Sequence, residues 1–324
     1  MLGLFIYNYI FPTFESMKIE HQLEKISAFS HLELLANQIV EGFISGMHKS
    51  PFHGFSAEFA EHRLYNQGES TRHIDWKLFA KTDRLYTKRF EEETNMRCHI
   101  ILDNSSSMHY PKLKGDQQFY ESKIGFSVLA SAVLMNLLRK QRDAAGLSIY
   151  SDSYEFYAPE KGSGRHHRML LNKLEQVLAT SKTTKQTDTV TYLHQIAQKM
   201  HRRSMIILFT DMFQLGDNKE LFNALQHLKH NKHKVVLFHV IDKKTEFNLD
   251  FDNVPRKFID VETGEEVNLF ADNVKEEYEK EVDKYFKNVA ETCMQYKIKY
   301  VPVSVDENFE KILTTYLVEK QKFG

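Results

Sequence analysis

The sequence predicts an α/β protein on a doubly wound, mainly parallel sheet, and three observations lead there. From Cys98 onward, short apolar runs alternate with longer segments of helical periodicity, the pattern of strands joined by crossover helices. Runs such as Ile100 to Leu102 and Met205 to Phe209 are apolar throughout rather than alternating, as strands covered on both faces are. Segment 118–140 is apolar nearly all round, which suits a helix buried on every side.

Taken in order, the first sixteen residues, MLGLFIYNYIFPTFES, are apolar and aromatic, but Asn8 and Pro12 interrupt them. They lack a basic start, a small-residue cleavage site and the length of a membrane span. Residues 1–17 are therefore expected to be an extension that docks on the domain, or one upstream of a start at Met17. Residues 18–97 form the next unit. A helix is predicted over 18–45, where Ile19, Leu23, Ile26, Phe29, Leu32, Leu35, Ile39 and Phe43 recur at three- and four-residue steps. From Gly46 to Glu93 the texture turns polar and aromatic, with a strand expected over 83–90 and too few aliphatics for a separate core.

Residues 98–324 carry the main domain. After the strand ending at Leu102 and helix 118–140, strands are predicted over 144–150 and, at an edge, 155–158. The GSGRHHR stretch, 162–168, reads as a loop into a helix, with His166 and His167 on the surface; it lacks the Gly-Lys-Ser/Thr ending of a phosphate-binding loop. Then follow a helix over 187–200, strand 205–209, helix 218–230, strand 235–240, a hairpin around Thr263-Gly264, helix 272–296, strand 300–305 and helix 308–320.

Composition excludes several function classes. Lys+Arg number 43 and Asp+Glu 44, a net charge of −1, so neither nucleic acid nor an anionic membrane is the expected main partner. The two cysteines, Cys98 and Cys293, have no metal-ligand spacing, and so few fit a reducing compartment. No other stretch approaches a transmembrane length, and the expected location is cytoplasmic.

The chemistry concentrates in HIILDNSSSM, residues 99–108. Asp103, Ser105 and Ser107 follow a strand at steps of two, so an extended or gently curved loop points them one way. Asp211 follows the MIILF strand, and Thr187 opens a helix whose preceding loop can bring it in. In an open parallel sheet, ligands bind beyond the carboxyl ends of strands near the switch point, where these three loops should meet. Five hard oxygen donors suit Mg²⁺, with Mn²⁺ as a substitute. Each piece alone is more often a turn or a helix cap; their conjunction is what is specific.

The D-x-S-x-S pattern at Asp103, Ser105 and Ser107, with Thr187 and Asp211, resembles the metal-ion-dependent adhesion site of von Willebrand factor A domains. The upstream run resembles one subset of these, the bacterial domain-of-unknown-function family fifty-eight. It comprises Gly46-Met47-His48-Lys49-Ser50, Gly54, Glu58-Phe59, Arg63, Tyr65, Gly68, then Arg72-His73-Ile74-Asp75-Trp76-Lys77 with Ala80. Phe209-Thr210-Asp211 and Asp260-x-Glu262-Thr263-Gly264 continue the likeness, which spans about 46–305. Two departures stand out: Gly68-Glu69-Ser70 replaces Gly-Asp-Asp, and Gln186 replaces the glycine before the threonine, leaving Thr189 as an alternative to Thr187.

The resemblance implies hydroxyl ligands at Ser105, Ser107 and Thr187, with Asp103 and Asp211 binding directly or through water. Such a site accepts a carboxylate from a partner, so a non-enzymatic, Mg²⁺-dependent interaction module is expected. Members of the family commonly accompany MoxR-type AAA+ ATPases, so such an ATPase, or a client protein supplying an acidic residue, is the implied partner. A metal-dependent phosphohydrolase and a scaffold with a vestigial site are the alternatives. An aspartyl-phosphate enzyme would carry a second carboxylate two residues after the first and a later lysine; position 105 is serine. Arg63, Tyr65, Arg72, Asp75, Trp76 and Lys77 are expected to form a salt-bridge and stacking network that locks the N-terminal part onto the domain, with Trp76 as apolar anchor. A partner surface is the other reading of them.

Overall fold

The computed structural model describes residues 31–47, 61–64, 76–89, 96–113, 117–151, 154–179, 189–212, 218–230, 232–251, 254–259 and 266–322. Residues 1–30, and with them the whole of the expected extension and the first part of the expected first helix, lie outside that set. The rest of that helix is α1, His31–Met47. Its Leu32, Ala36 and Val40, one face at four-residue steps, enter the main core.

A two-stranded antiparallel ribbon, β1 (Glu61–Leu64) and β2 (Tyr86–Arg89), flanks the short helix α2 (Trp76–Thr82). The expected strand from 83 starts three residues later. Asp83 closes α2 instead: its backbone is left-handed, φ 51°, and its N–H donates to the Phe79 carbonyl.

The central sheet contains β3 (Arg97–Asp103), β4 (Ala144–Tyr150), β5 (Tyr154–Lys161), β6 (Met205–Thr210), β7 (Lys234–Ile241) and β10 (Lys299–Ser304). Its spatial order is β10-β7-β6-β3-β4-β5, parallel except for the edge strand β5, which runs antiparallel to β4. Successive strands leave in opposite directions from the β3–β6 pair, which is therefore the switch point. Helices α3 (Lys123–Lys140), α4 (Gly164–Ala179), α5 (Thr189–Lys199), α6 (Asn218–His230), α7 (Ala271–Gln295) and α8 (Glu310–Gln321) cover the faces. The hairpin of β8 (Arg256–Ile259) and β9 (Glu266–Leu269) lies between β7 and α7, as expected.

The alternation of strand side chains sorts the apolar residues into two cores. Cys98, Ile100, Leu102, Ile207, Phe209, Val236 and Phe238 face α1, α3, α4 and α8. Ile101, Ile206, Leu208, Val235 and Leu237 face α5, α6 and α7. Two covered faces explain why these strands read as uninterrupted apolar runs.

Three expectations are corrected. Helix 118–140 begins only at Lys123, because Ser122 is extended and caps it by accepting the Gly125 N–H; a separate 3₁₀ turn occupies Phe119–Glu121. Gly125 permits this approach, since a Cβ there would lie 1.8 Å from the Phe119 carbonyl oxygen. His166 and His167 are not on the surface. They lie inside α4, buried, and donate to the Ala145 carbonyl (3.0 Å) and to Asn136 Oδ1 (2.8 Å). Burial lowers the basicity of both, that of His167 to a pKa of about 4. Trp76 is 61% exposed and meets Phe79 edge-on, so it is no buried anchor.

Candidate functional site

Asp103 ends β3 at the carboxyl edge of the sheet, and both its oxygens are held. Oδ1 accepts the Ser105 N–H at 3.0 Å, an Asx turn that folds the chain back, and Oδ2 accepts the Thr210 hydroxyl at 2.7 Å. The loop is bent more sharply than an extended or gently curved one. Ser107 opens a 3₁₀ turn through His109, and the curl brings the Ser105 and Ser107 hydroxyls to 3.1 Å of each other. The Asn104 N–H donates to the Tyr150 carbonyl on β4, and its side-chain amide donates to Glu155 while accepting from His109. Asp103, Ser105 and Ser107 are all buried.

Asp211 follows β6, the neighbour of β3, and the register, with Leu102 opposite Phe209, sets Asp103 level with Thr210 and Asp211 one residue beyond. Thr210 links their loops: its hydroxyl donates to Asp103 and accepts the Met212 N–H at 3.1 Å. Met212 takes a left-handed conformation, φ 54°, which costs a non-glycine residue on the order of 1 kcal/mol. It turns the chain immediately after Asp211, and the Tyr285 hydroxyl of α7 secures its carbonyl at 2.8 Å.

Two further residues complete the cluster, and neither stood out in the sequence. Lys123, the first residue of α3, is 1% exposed; its ammonium donates to Asp211 Oδ2 at 2.8 Å and to Glu246 Oε1. Glu246 sits in a single π turn, Lys243–Phe247, just past β7, and its other oxygen accepts the Asp242 N–H. Thr245 of the same turn accepts from the Tyr110 hydroxyl. The signal for Lys123 was a lysine opening an otherwise apolar helix. A cation at a helix N-terminus opposes the helix dipole, so carboxylates must hold it there.

Electrostatics follow from burial. Desolvation first, and the Asp211 charge second, raise the Asp103 carboxyl to a pKa of about 6. Desolvation likewise raises Glu246. Lys123 stays firmly protonated because Asp211 and Glu246 outweigh its own desolvation. Asp211 and Glu246 thus share one ammonium, and with Asp103 close to Asp211 the surplus negative charge matches a divalent cation. Among the described residues no three His, Cys, Asp or Glu side chains gather in metal-ligating geometry, so an ion here would depend on the serine hydroxyls. Two carboxylates and two hydroxyls are the hard donors that Mg²⁺ takes beside water, and the set fits.

Of the other residues singled out, Thr187 lies outside the described residues, and Thr189 is the first residue of α5. Arg63 lies in β1 and Lys77 in α2; Tyr65, Arg72 and Asp75 lie outside the described residues. Among the described residues no helix is long and apolar enough to cross a membrane.

Uncharacterized proteins of Mycobacterium bovis and Mycobacterium tuberculosis are 21% identical over 220 residues, 67% of this chain. The chain spans 65% of the length of these curated relatives. Among solved structures, BatB from Bacteroides thetaiotaomicron is 16% identical, with 70% of this chain and 99% of that one covered at a TM-score of 0.43. An aerotolerance-related membrane protein from Bacteroides fragilis, 13% identical, gives 70%, 99% and 0.45. The SpRpn10 VWA domain, 14% identical, gives 68%, 95% and 0.37. The chain's own strand order shows a doubly wound α/β fold. The family model described as "Protein of unknown function DUF58" matches residues 61–287, and the chain belongs to that family.

Proposed function

We propose that this chain is a non-enzymatic interaction module that docks an acidic residue of a partner protein through Mg²⁺. The observation that carries the reading is that Asp103 and Asp211 end neighbouring strands at the switch point, beside two serine hydroxyls 3.1 Å apart. Bound there, Mg²⁺ would offer an open coordination position to an outside carboxylate. The Ser105 N–H and the Thr210 hydroxyl orient Asp103 from both sides, so Ser105, Ser107 and Asp103 would hold the ion with Asp211. Neutral hydroxyls leave such an ion electron-poor, which favours an external carboxylate. A MoxR-type AAA+ ATPase is the partner that the family resemblance supports, with Mn²⁺ as an alternative ion and the cytoplasm as the location.

Calorimetry with MgCl₂ tests the ion, and a pull-down with a MoxR-type ATPase from the same organism as bait tests the partner. Wild-type protein should show saturable heat and Mg²⁺-dependent capture, and Asp103→Ala should lose both. Unchanged Mg²⁺ binding and capture in Asp103→Ala would sink the reading. Lys123 favours one rival, because an aspartyl-phosphate phosphohydrolase also wants a lysine beside its carboxylates. Ser105 stands where that chemistry needs its second carboxylate. Mg²⁺-dependent turnover of an aryl phosphate, abolished in Asp103→Asn, would decide for the rival.

A further inference from the structure

We propose that Lys123 is the site's built-in counter-cation, a positioning residue that competes with the divalent ion for Asp211 and is released toward Glu246 when the ion binds. This inference rests on the docking site proposed above and concerns its regulation.

The geometry carries it. Asp211, beside Asp103 at the switch point, already has a cationic partner: the Lys123 ammonium, 2.8 Å from Oδ2, in a pair whose side chains are 2% and 3% exposed. An ion sharing Asp211 therefore meets a positive charge next to it, and like charges so close repel where water is scarce to screen them. The ammonium has a second seat. Glu246 accepts from it as well, and its side chain is 32% exposed, nearer to water than Asp211. Lys123 can thus give up Asp211 and keep Glu246 without becoming a buried, unpaired charge, the outcome that would forbid the exchange. The helix dipole at the start of α3 adds nothing to hold the lysine in place.

Glu246 is also tied to the rest of the edge. Its backbone carbonyl accepts the Tyr278 hydroxyl of α7 at 2.7 Å, and Thr245 next to it accepts from Tyr110. Shifting the ammonium's weight onto Glu246 would therefore be felt in the turn 243–247 at the rim.

Removing the ammonium and removing its second seat predict opposite effects, which a purely structural role would not produce. Lys123→Met removes the competing charge and should bind Mg²⁺ at least about tenfold more tightly than wild type in calorimetry with MgCl₂ alone. Glu246→Gln removes the second seat, leaves Lys123 on Asp211, and should bind Mg²⁺ several-fold more weakly. Thermal unfolding gives a second readout: Lys123→Met should be destabilised without Mg²⁺ and rescued by it, while wild type shifts less. Should Lys123→Met fold only in Mg²⁺, that rescue is itself the supporting result; should it fold at no Mg²⁺ concentration, Glu246→Gln decides. Wild type that binds Mg²⁺ with Lys123→Met no tighter, or Glu246→Gln no weaker, overturns this inference and leaves the docking site standing. Binding in Lys123→Met but not in wild type supports the inference and removes the docking reading for the native chain. No binding in either overturns both.

Discussion

Strand β3 carries two buried polar clusters four residues apart, and they are built on opposite principles. At His99 the cluster is closed. Its Nδ1 donates to Glu160 Oε1 and its Nε2 meets the Ser148 hydroxyl, each at 2.7 Å, with the Tyr157 ring stacked alongside. These are the members of a serine–histidine–carboxylate triad, yet all three residues are buried and no substrate can reach Ser148. The hydrogen bond from His99 helps to hold the Glu160 carboxyl below its ordinary range against desolvation, although Glu160 Oε2 has no partner of its own. At Asp103 the charges do not cancel: Asp103, Asp211 and Glu246 outnumber the single Lys123 ammonium, and the Asp103 carboxyl is pushed upward. A triad inventory alone would have chosen the wrong cluster. Surplus negative charge at a sheet edge, not the list of residue types, distinguishes the place proposed for an outside cation.

The comparison can be broken by substitution. Glu160→Ala leaves the buried His99 without its carboxylate and should cost about 3 kcal/mol or more in denaturant unfolding; a loss under about 1 kcal/mol would mean that the closed cluster is not a structural pair. Gly146→Ala acts on the same cluster sterically, since a Cβ there lies 2.6 Å from His99 Nδ1 and 3.0 Å from the Ala158 carbonyl. It should destabilise by about 1–3 kcal/mol, and a variant as stable as wild type would show that the cluster has room to spare.

In the Asp103 cluster the sign reverses. Asp103 has a folded pKa of about 6, above its ordinary 3.8, so its ionisation opposes folding above pH 6, and that penalty fades as pH falls toward 4. Without divalent ions, Asp103→Asn should therefore stabilise the protein at pH 7.5, by at most about 2 kcal/mol. The gain should shrink as pH is lowered to 5. A gain that persists unchanged at pH 5, or a loss at pH 7.5, would contradict an Asp103 carboxyl held up by desolvation and the Asp211 charge. The same substitution should abolish Mg²⁺ binding, setting stability against function at one residue.

Much of this was legible along the chain. The strand after Cys98 and the buried α3 follow from periodicity, because residues facing two covered layers leave no polar alternation. The short edge strand and the hairpin around Thr263-Gly264 were also legible, though not the antiparallel direction of the edge strand. Asp103, Ser105, Ser107 and Asp211 were legible too, since a parallel sheet delivers every strand's following loop to one edge. Other features were not. His166 and His167 look like surface residues until the Ala145 carbonyl and Asn136 come within reach of their ring nitrogens. The Ser148–His99–Glu160 contacts need the β3–β4–β5 register, which no single strand encodes.

The sequence by itself therefore determined the layers, the order of the elements and the oxygen-rich loop after β3, because each is a local pattern of apolar and polar residues. Only the tertiary structure decided that Asp211 is already paired. Lys123 and Glu246 lie 88 and 35 residues from it, and which charges neutralise one another inside a protein is set by distance through space, not along the chain.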